Sequence, residues 1–190
     1  MNALFLDRDG VLNELRRGDY VKTPDELVVL PGVVEALRML KPLFGLLVVA
    51  TNQQGIAKGL MSEDDLAAVH RKLNDATEGL IDRIYHCPEL ESSHSFYRKP
   101  NIGMALRARR DYPQLRLKEC VMAGDSLTDM LFGRRAGMTT VLIGSNSDAN
   151  RRNPHLVDHH YPTLLDFAKA CLNSCGKRNV ASPRDAWNVQ

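Results

Sequence analysis

Four short runs constrain this chain more than any other feature: Ala3-Leu4-Phe5-Leu6, Leu46-Leu47-Val48-Val49-Ala50, Cys120-Val121-Met122-Ala123 and Thr139-Thr140-Val141-Leu142-Ile143. Each is mostly apolar in succession rather than at alternate positions, and each stops at a polar residue or a glycine. That is the pattern of a strand buried on both faces. A further strand is expected near residues 81–85, followed by an irregular stretch over 87–100. Leu27-Val28-Val29-Leu30 is another apolar run, ended by Pro31-Gly32.

Helical spacing fills the gaps. Val33, Val34, Ala36, Leu37 and Leu40 mark a helix over 33–43. Ser62 is placed to cap the next helix, with Glu63, Asp64 and Asp65 in its electropositive first turn and Leu66, Val69 and Leu73 on its buried face. Helices are also expected over 103–110, closed off by Pro113, over 127–136, stopped by Gly137, and over 164–172. Strands alternating with helices through short links imply an α/β fold with a doubly wound parallel sheet. Residues 1–172 form the expected domain. Residues 173–190 are polar and aperiodic, and a poorly ordered C-terminal tail is expected there.

A chain of 190 residues suits one domain with a sizeable core. Its net charge of +2 gives no strong attraction to nucleic acid or to a membrane surface. No apolar stretch is long enough to span a bilayer, and reactive residues from Asp7 onward leave no room for a removable leader. Cys87, Cys120, Cys171 and Cys175 make no evident disulfide framework, which fits a reducing cytoplasm. Oligomeric state has no signature in the sequence.

Chemically capable residues stand at the ends of these strands. After the first come Asp7 and Asp9, two carboxylates spaced i, i+2. After the second come Thr51 and Asn52, a hydroxyl and an amide able to donate to phosphate oxygens. Arg98-Lys99-Pro100 precedes the next helix, and Gly124-Asp125 ends the following strand. Taken singly, each is an ordinary polar turn, a solvated charge pair or a helix cap. In a doubly wound sheet, however, the carboxyl ends of the strands gather at one crevice. The chemistry that needs this set is phosphoryl transfer to a carboxylate. Asp7, Asp125 and a main-chain carbonyl would hold Mg²⁺, a hard cation that prefers oxygen ligands. Lys99 and Thr51 would spread transition-state charge, and Asp9 would move protons. Asp129 reads as a residue of the helix surface, or one supporting a ligand, rather than as a ligand.

The order D-x-D-G, T-N-Q, R-K-P, G-D-x-x-x-D resembles the haloacid dehalogenase superfamily of aspartyl-phosphate hydrolases. The phrases Phe5-Leu6-Asp7-Arg8-Asp9-Gly10, Thr51-Asn52-Gln53-Gln54-Gly55-Ile56-Ala57 and Arg98-Lys99-Pro100 resemble its heptose-bisphosphate and histidinol-phosphate phosphatase branch. The resemblance implies a Rossmann-like fold with helices on both faces. It also implies Asp7 as nucleophile, Asp9 as acid and base, Thr51 and Lys99 as phosphate ligands, and Asp125 with the Asp9 carbonyl as magnesium ligands. With no long insert after the first two motifs, no large cap domain is expected. The implied substrate is a small phosphorylated metabolite: a sugar phosphate or bisphosphate first, histidinol phosphate second, with Arg98 reaching its remote end. A phosphotransferase would share the first half-reaction, whereas a receiver domain would carry its acidic pair apart from its phosphoacceptor.

One departure stands out. The branch carries a zinc loop of the form C-x-H…C-x-C-R-K-P. Here Cys87 matches the first ligand, but Glu89, Ser95 and Tyr97 occupy the other three positions. The family's tetrahedral site therefore cannot form as such, and His86 and His94 are read as loop histidines. Val11 also stands where a threonine is common.

Overall fold

A computed structural model describes the backbone of residues 1–145 and 153–178 and the side chains through Ser174. The chain runs β1 (Ala3–Leu6), α1 (Val33–Leu40), β2 (Leu46–Asn52), α2 (Glu63–Ala76), β3 (Arg83–Cys87) and α3 (Gly103–Asp111). It continues with β4 (Val121–Gly124), α4 (Leu127–Ala136), β5 (Thr139–Ile143), β6 (His159–Tyr161) and α5 (Leu164–Arg178).

All six strands are parallel, in the order β3-β2-β1-β4-β5-β6. Strand order reverses between β1 and β4, the switch point at which a doubly wound sheet leaves a crevice. Successive strand residues face opposite sides. Leu4, Leu6, Leu47, Val49 and Val121 join a core with Leu37 and Leu40 of α1, Val69 and Leu73 of α2 and Phe167 of α5. Ala3, Phe5, Val48, Ala50 and Met122 pack on the other side against Met104 and Ala108 of α3 and Phe132 of α4. The Phe5 and Phe132 rings meet edge-on at 6.2 Å. Helices thus cover both faces, which is why the strands read as continuous apolar runs.

The helix starting at Ser62 forms as expected. Ser62 and Asp65 cap each other, and Leu66, Val69 and Leu73 are the buried residues. α4 ends as expected, at Gly137 in the left-handed conformation. Elsewhere the boundaries move. α1 ends at Leu40 rather than at residue 43, because Pro42 has no N–H to continue the helix. β3 begins at Arg83 and includes His86 and Cys87, so His86 is a strand residue and not a loop histidine. Leu27–Leu30 contributes only an isolated bridge, Val29 opposite Asn13. α5 continues past Leu172 to Arg178, so residues 173–178 are helical rather than part of a tail; residues 179–190 lie outside the described residues.

β6 has no counterpart among the strands expected from the sequence. Its residues, His159-His160-Tyr161, are polar because it lies on the sheet edge, where only β5 covers it. Between β1 and α1 the chain holds a single short 3₁₀ turn at Pro24–Glu26, and the link from β2 to α2 is brief. Neither link contains a folded unit, so no large cap stands over the crevice among the described residues. No helix among those residues is long and apolar enough to cross a membrane.

Candidate active site

The loop after β1 turns back at once. The amides of Leu12 and Asn13 bond the Arg8 carbonyl, and the Gly10 amide bonds the Asn13 carbonyl. At its centre Gly10 has φ +87°, and a Cβ there would stand 2.3 Å from Asp125 Oδ2. Only glycine lets the β1 loop approach the β4 loop this closely. Asp7 and Asp125, far apart in the chain, therefore face each other across the switch point.

Lys99 enters this group from the loop before α3. Its Nζ lies 2.8 Å from Asp7 Oδ1 and 2.6 Å from Asp129 Oδ1, and it is 3% exposed. Asn52 positions it: the Lys99 amide donates to Asn52 Oδ1 at 2.9 Å, and Asn52 Nδ2 donates to the Lys99 carbonyl at 3.0 Å. This gives Asn52 a task beyond the one read in the sequence. Its amide holds the lysine loop while still lining the cleft. Asp129 is not a helix-surface residue. It is fully buried, its Oδ2 accepting from Ser126 N at 3.1 Å and Ser126 Oγ at 2.5 Å. Asp125, one of the sequence candidates for capping α4, leaves that role to Ser126. A Cβ on Gly124 would lie 2.2 Å from the Asp129 Cβ, so the glycine ending β4 makes room for that carboxylate.

Asp9 is held apart. Its Oδ1 accepts from Asn13 Nδ2 at 2.9 Å and Arg8 Nη2 at 3.0 Å, and its Oδ2 from Gln53 Nε2 at 2.9 Å. Gln53 Nε2 also donates to Thr51 Oγ1 at 2.8 Å, leaving the threonine's own proton to donate into the cleft. The two members of D-x-D thus have opposite electrostatics. Burial pushes Asp7 up most strongly; Lys99 opposes this, but Asp129, Asp125 and Asp9 add to it, and the result is about 8. Burial also pushes Asp9 up, yet the Arg8 charge and the hydrogen bonds from Arg8, Asn13 and Gln53 outweigh it and hold Asp9 below the ordinary carboxyl range. Asp125 is raised to about 6, by burial and then by Asp129. Burial alone would lower Lys99, but Asp129 and Asp7 keep it charged.

Asp7, Asp125 and Asp129 each bring a carboxylate oxygen within 4.8 Å of the others. Both oxygens of Asp129 are already bonded, to Lys99 and to Ser126, which leaves Asp7 and Asp125 to ligate a cation. With one lysine among these acids, burial and the neighbouring carboxylates push Asp7 toward its neutral form, and a divalent cation fits that deficit. The cleft they share has a volume of about 260 Å³ and is lined by Asp7, Asp9, Thr51, Asn52, Lys99 and Asp125, with Arg16 and Tyr20 at hand. A larger hollow of about 540 Å³ adjoins Gly10 and Val11, with walls that include Leu30, Val33 and Ile143. It contains none of these carboxylates, and the reactive groups converge on the smaller cleft.

Arg98 does not line that cleft; its guanidinium is turned toward the Glu89 carbonyl, 3.4 Å away. In the departed zinc loop, His86 and Cys87 are consecutive strand residues and point to opposite faces. Cys87 is buried against Ser95, while His86 pairs with Glu63 at 2.9 Å. Arg8, Asn13, Gln53 and His70 are the contributors that sequence reasoning missed. Arg8 and Gln53 lie inside the D-x-D-G and T-N-Q motifs and Asn13 just after the first, which was the available signal.

Residues 96–167 match the model of the HAD-hydrolase-like family. The chain is 35% identical over 179 residues to the D-glycero-α-D-manno-heptose-1,7-bisphosphate 7-phosphatase of Mycobacterium bovis, covering 93% of this chain and 94% of that protein. The chain belongs to the haloacid dehalogenase-like phosphatases. The enzyme of the same name from Burkholderia mallei is 40% identical over 159 residues, covering 78% of this chain and 82% of the relative. The D,D-heptose 1,7-bisphosphate phosphatase of Bordetella bronchiseptica, solved with magnesium and phosphate, superposes with a TM-score of 0.82 at 32% identity, over 91% of this chain and 99% of that one. The Rossmann-like fold of the family is the fold seen here, and this chain is a phosphatase.

Gly124→Ala is expected to destabilise the fold by about 1–3 kcal/mol, the range for an overpacked methyl. The displaced Asp129 should lower turnover as well. Denaturant midpoints with an unchanged m-value, measured beside kcat, check both.

Proposed function

We propose that this phosphatase hydrolyses a small phosphorylated sugar with magnesium, through an aspartyl phosphate on Asp7. The observation that carries the reading is the position of Asp7. Its Oδ1 takes both the Arg8 amide at 2.7 Å and the Lys99 ammonium at 2.8 Å, which leaves Oδ2 to attack. Magnesium at Asp7, Asp125 and the Asp9 carbonyl would offset the repulsion between the nucleophile and an anionic phosphate.

In the first half-reaction Asp7 gives up its proton, Asp9 takes it up, Asp7 Oδ2 attacks phosphorus, the P–O ester bond breaks, and Asp9 passes that proton to the leaving alkoxide. In the second, Asp9 takes a proton from water, the water oxygen attacks phosphorus, and the acyl-phosphate bond breaks to return Asp7 and release inorganic phosphate. Lys99 and the Thr51 hydroxyl neutralise the charge that builds on the equatorial oxygens.

The three relatives named above are heptose 1,7-bisphosphate phosphatases, and an uncapped cleft with Arg16 on its wall suits a sugar carrying a second anion. A heptose bisphosphate is therefore the first substrate proposed, ahead of histidinol phosphate. Arg98 is proposed to turn from Glu89 toward the remote end of that substrate. Buried thiols at Cys87, Cys120 and Cys171 support placement in a reducing cytoplasm.

Asp7→Asn keeps the shape and removes the attacking charge. Turnover should become undetectable while the folded spectrum survives, and a near-native rate would overturn the covalent mechanism. Chelation should abolish activity and magnesium restore it, with elemental analysis finding less than one zinc per chain. Stoichiometric zinc would show a rebuilt site near Cys87. Arg98→Ala should erode the preference for a sugar bisphosphate over an aryl phosphate by about tenfold, roughly one charge-assisted hydrogen bond. Equal loss on both substrates would place Arg98 at the reacting phosphate instead.

A further inference from the structure

Arg8 is fully buried and has the largest side chain among the residues so enclosed. A guanidinium is always charged, donates through five N–H bonds and accepts none. Its burial is tolerable only where those donors meet acceptors. Arg8 meets two. Its Nη2 stands 3.0 Å from Asp9 Oδ1 and 2.9 Å from Asp9 Oδ2, and its Nη1 stands 3.3 Å from Nε2 of His70. Nε has no partner among the described residues.

His70 lies on α2, one residue after the core residue Val69, and its ring meets that of His86 edge-on at 5.9 Å. Because arginine can only donate, the His70 nitrogen facing it must carry the lone pair, which places the ring proton on Nδ1. Burial, then the charge of Arg8 and the neighbouring His86, hold His70 down to about 3, so the ring stays a neutral acceptor.

The strong form of an arginine–carboxylate pair uses two nitrogens in parallel bonds. Arg8 grips Asp9 with Nη2 only: Nη1 is held by His70, and Nε does not reach Asp9. Asp9 already has donors on both oxygens, including Asn13 and Gln53. To serve the reacting phosphate it must let go of some of them. We infer that His70 is a positioning residue for proton transfer: by accepting from Nη1 it fixes the Arg8 guanidinium in the orientation that sets Nη2 alone against Asp9, and so leaves Asp9 able to turn to the leaving oxygen. This rests on the acid and base role proposed for Asp9.

The test compares an alkyl phosphate, whose leaving group needs a proton, with p-nitrophenyl phosphate, whose leaving group does not. The first half-reaction is followed in the pre-steady state. His70→Leu removes the acceptor, and His70→Gln keeps one. His70→Leu should slow the alkyl substrate by about tenfold more than the aryl one with KM unchanged, inside the roughly 10²–10⁴ range of a positioned proton donor. His70→Gln should return within about threefold of the parent enzyme. Should His70→Leu fail to fold, His70→Phe fills the site without a nitrogen acceptor and takes its place. Equal slowing of both substrates, no slowing, or a Gln variant no better than Leu would overturn the inference. Asp9→Asn is measured alongside. If it too lacks the leaving-group bias, the acid role of Asp9 itself fails; if it shows the bias and His70→Leu does not, only the part given to His70 fails.

Discussion

A buried ammonium between two carboxylates organises this molecule. Lys99 Nζ touches Asp7 at 2.8 Å and Asp129 at 2.6 Å in a place where none of the three charges is well hydrated. Ions taken out of water at a cost of several kcal/mol each demand this kind of mutual contact. The surroundings are arranged to secure it. Gly124 opens space for Asp129, Ser126 holds the second oxygen of Asp129, and Asn52 fastens the lysine loop through both its backbone groups. Loosening any one of them would move Lys99 away from Asp7.

The same cluster remains short of positive charge, and that shortage is functional. One lysine faces Asp7, Asp125 and Asp129, and burial, reinforced by the neighbouring acids, pushes Asp7 up to about 8. The divalent cation proposed at Asp7 and Asp125 would relieve that shortage and favour the ionised form of Asp7. Asp9, two residues away, is screened from the deficit by its own cation, Arg8, and by the amides of Asn13 and Gln53. The two carboxylates are thus pushed in opposite directions, Asp7 toward its neutral form and Asp9 toward its ionised one, and the cation proposed beside Asp7 would reverse the first.

Much of the fold was legible, because a strand covered on both faces must be apolar at every position. β1, β4 and β5 were visible on that ground, and α2 by its Ser62 cap with Leu66, Val69 and Leu73. β6 was not visible: an edge strand of His159, His160 and Tyr161 has neither alternation nor apolar content. Among the site residues, Asp7, Asp9, Thr51, Lys99 and Asp125 converge as their motif positions suggested. For Asp129 the supporting alternative holds rather than the helix-surface one, and the contact of Asn52 with the lysine loop was not legible, since the partner of each is Lys99, brought in from another loop.

The sequence by itself determined where strands stop and which chemical groups stand at their ends, because both depend on local patterns of a few residues. Tertiary structure alone decided how those groups pair. Gln53 reaches Asp9 across 44 positions of sequence, and Arg8 reaches His70 across 62. Such contacts depend on the register of β1 between β2 and β4, on a glycine at Gly10 that admits Asp125, and on a helix laid against the sheet. No local pattern encodes them: each is set by burial, which leaves a charged or polar side chain no partner except the one the packing brings within reach.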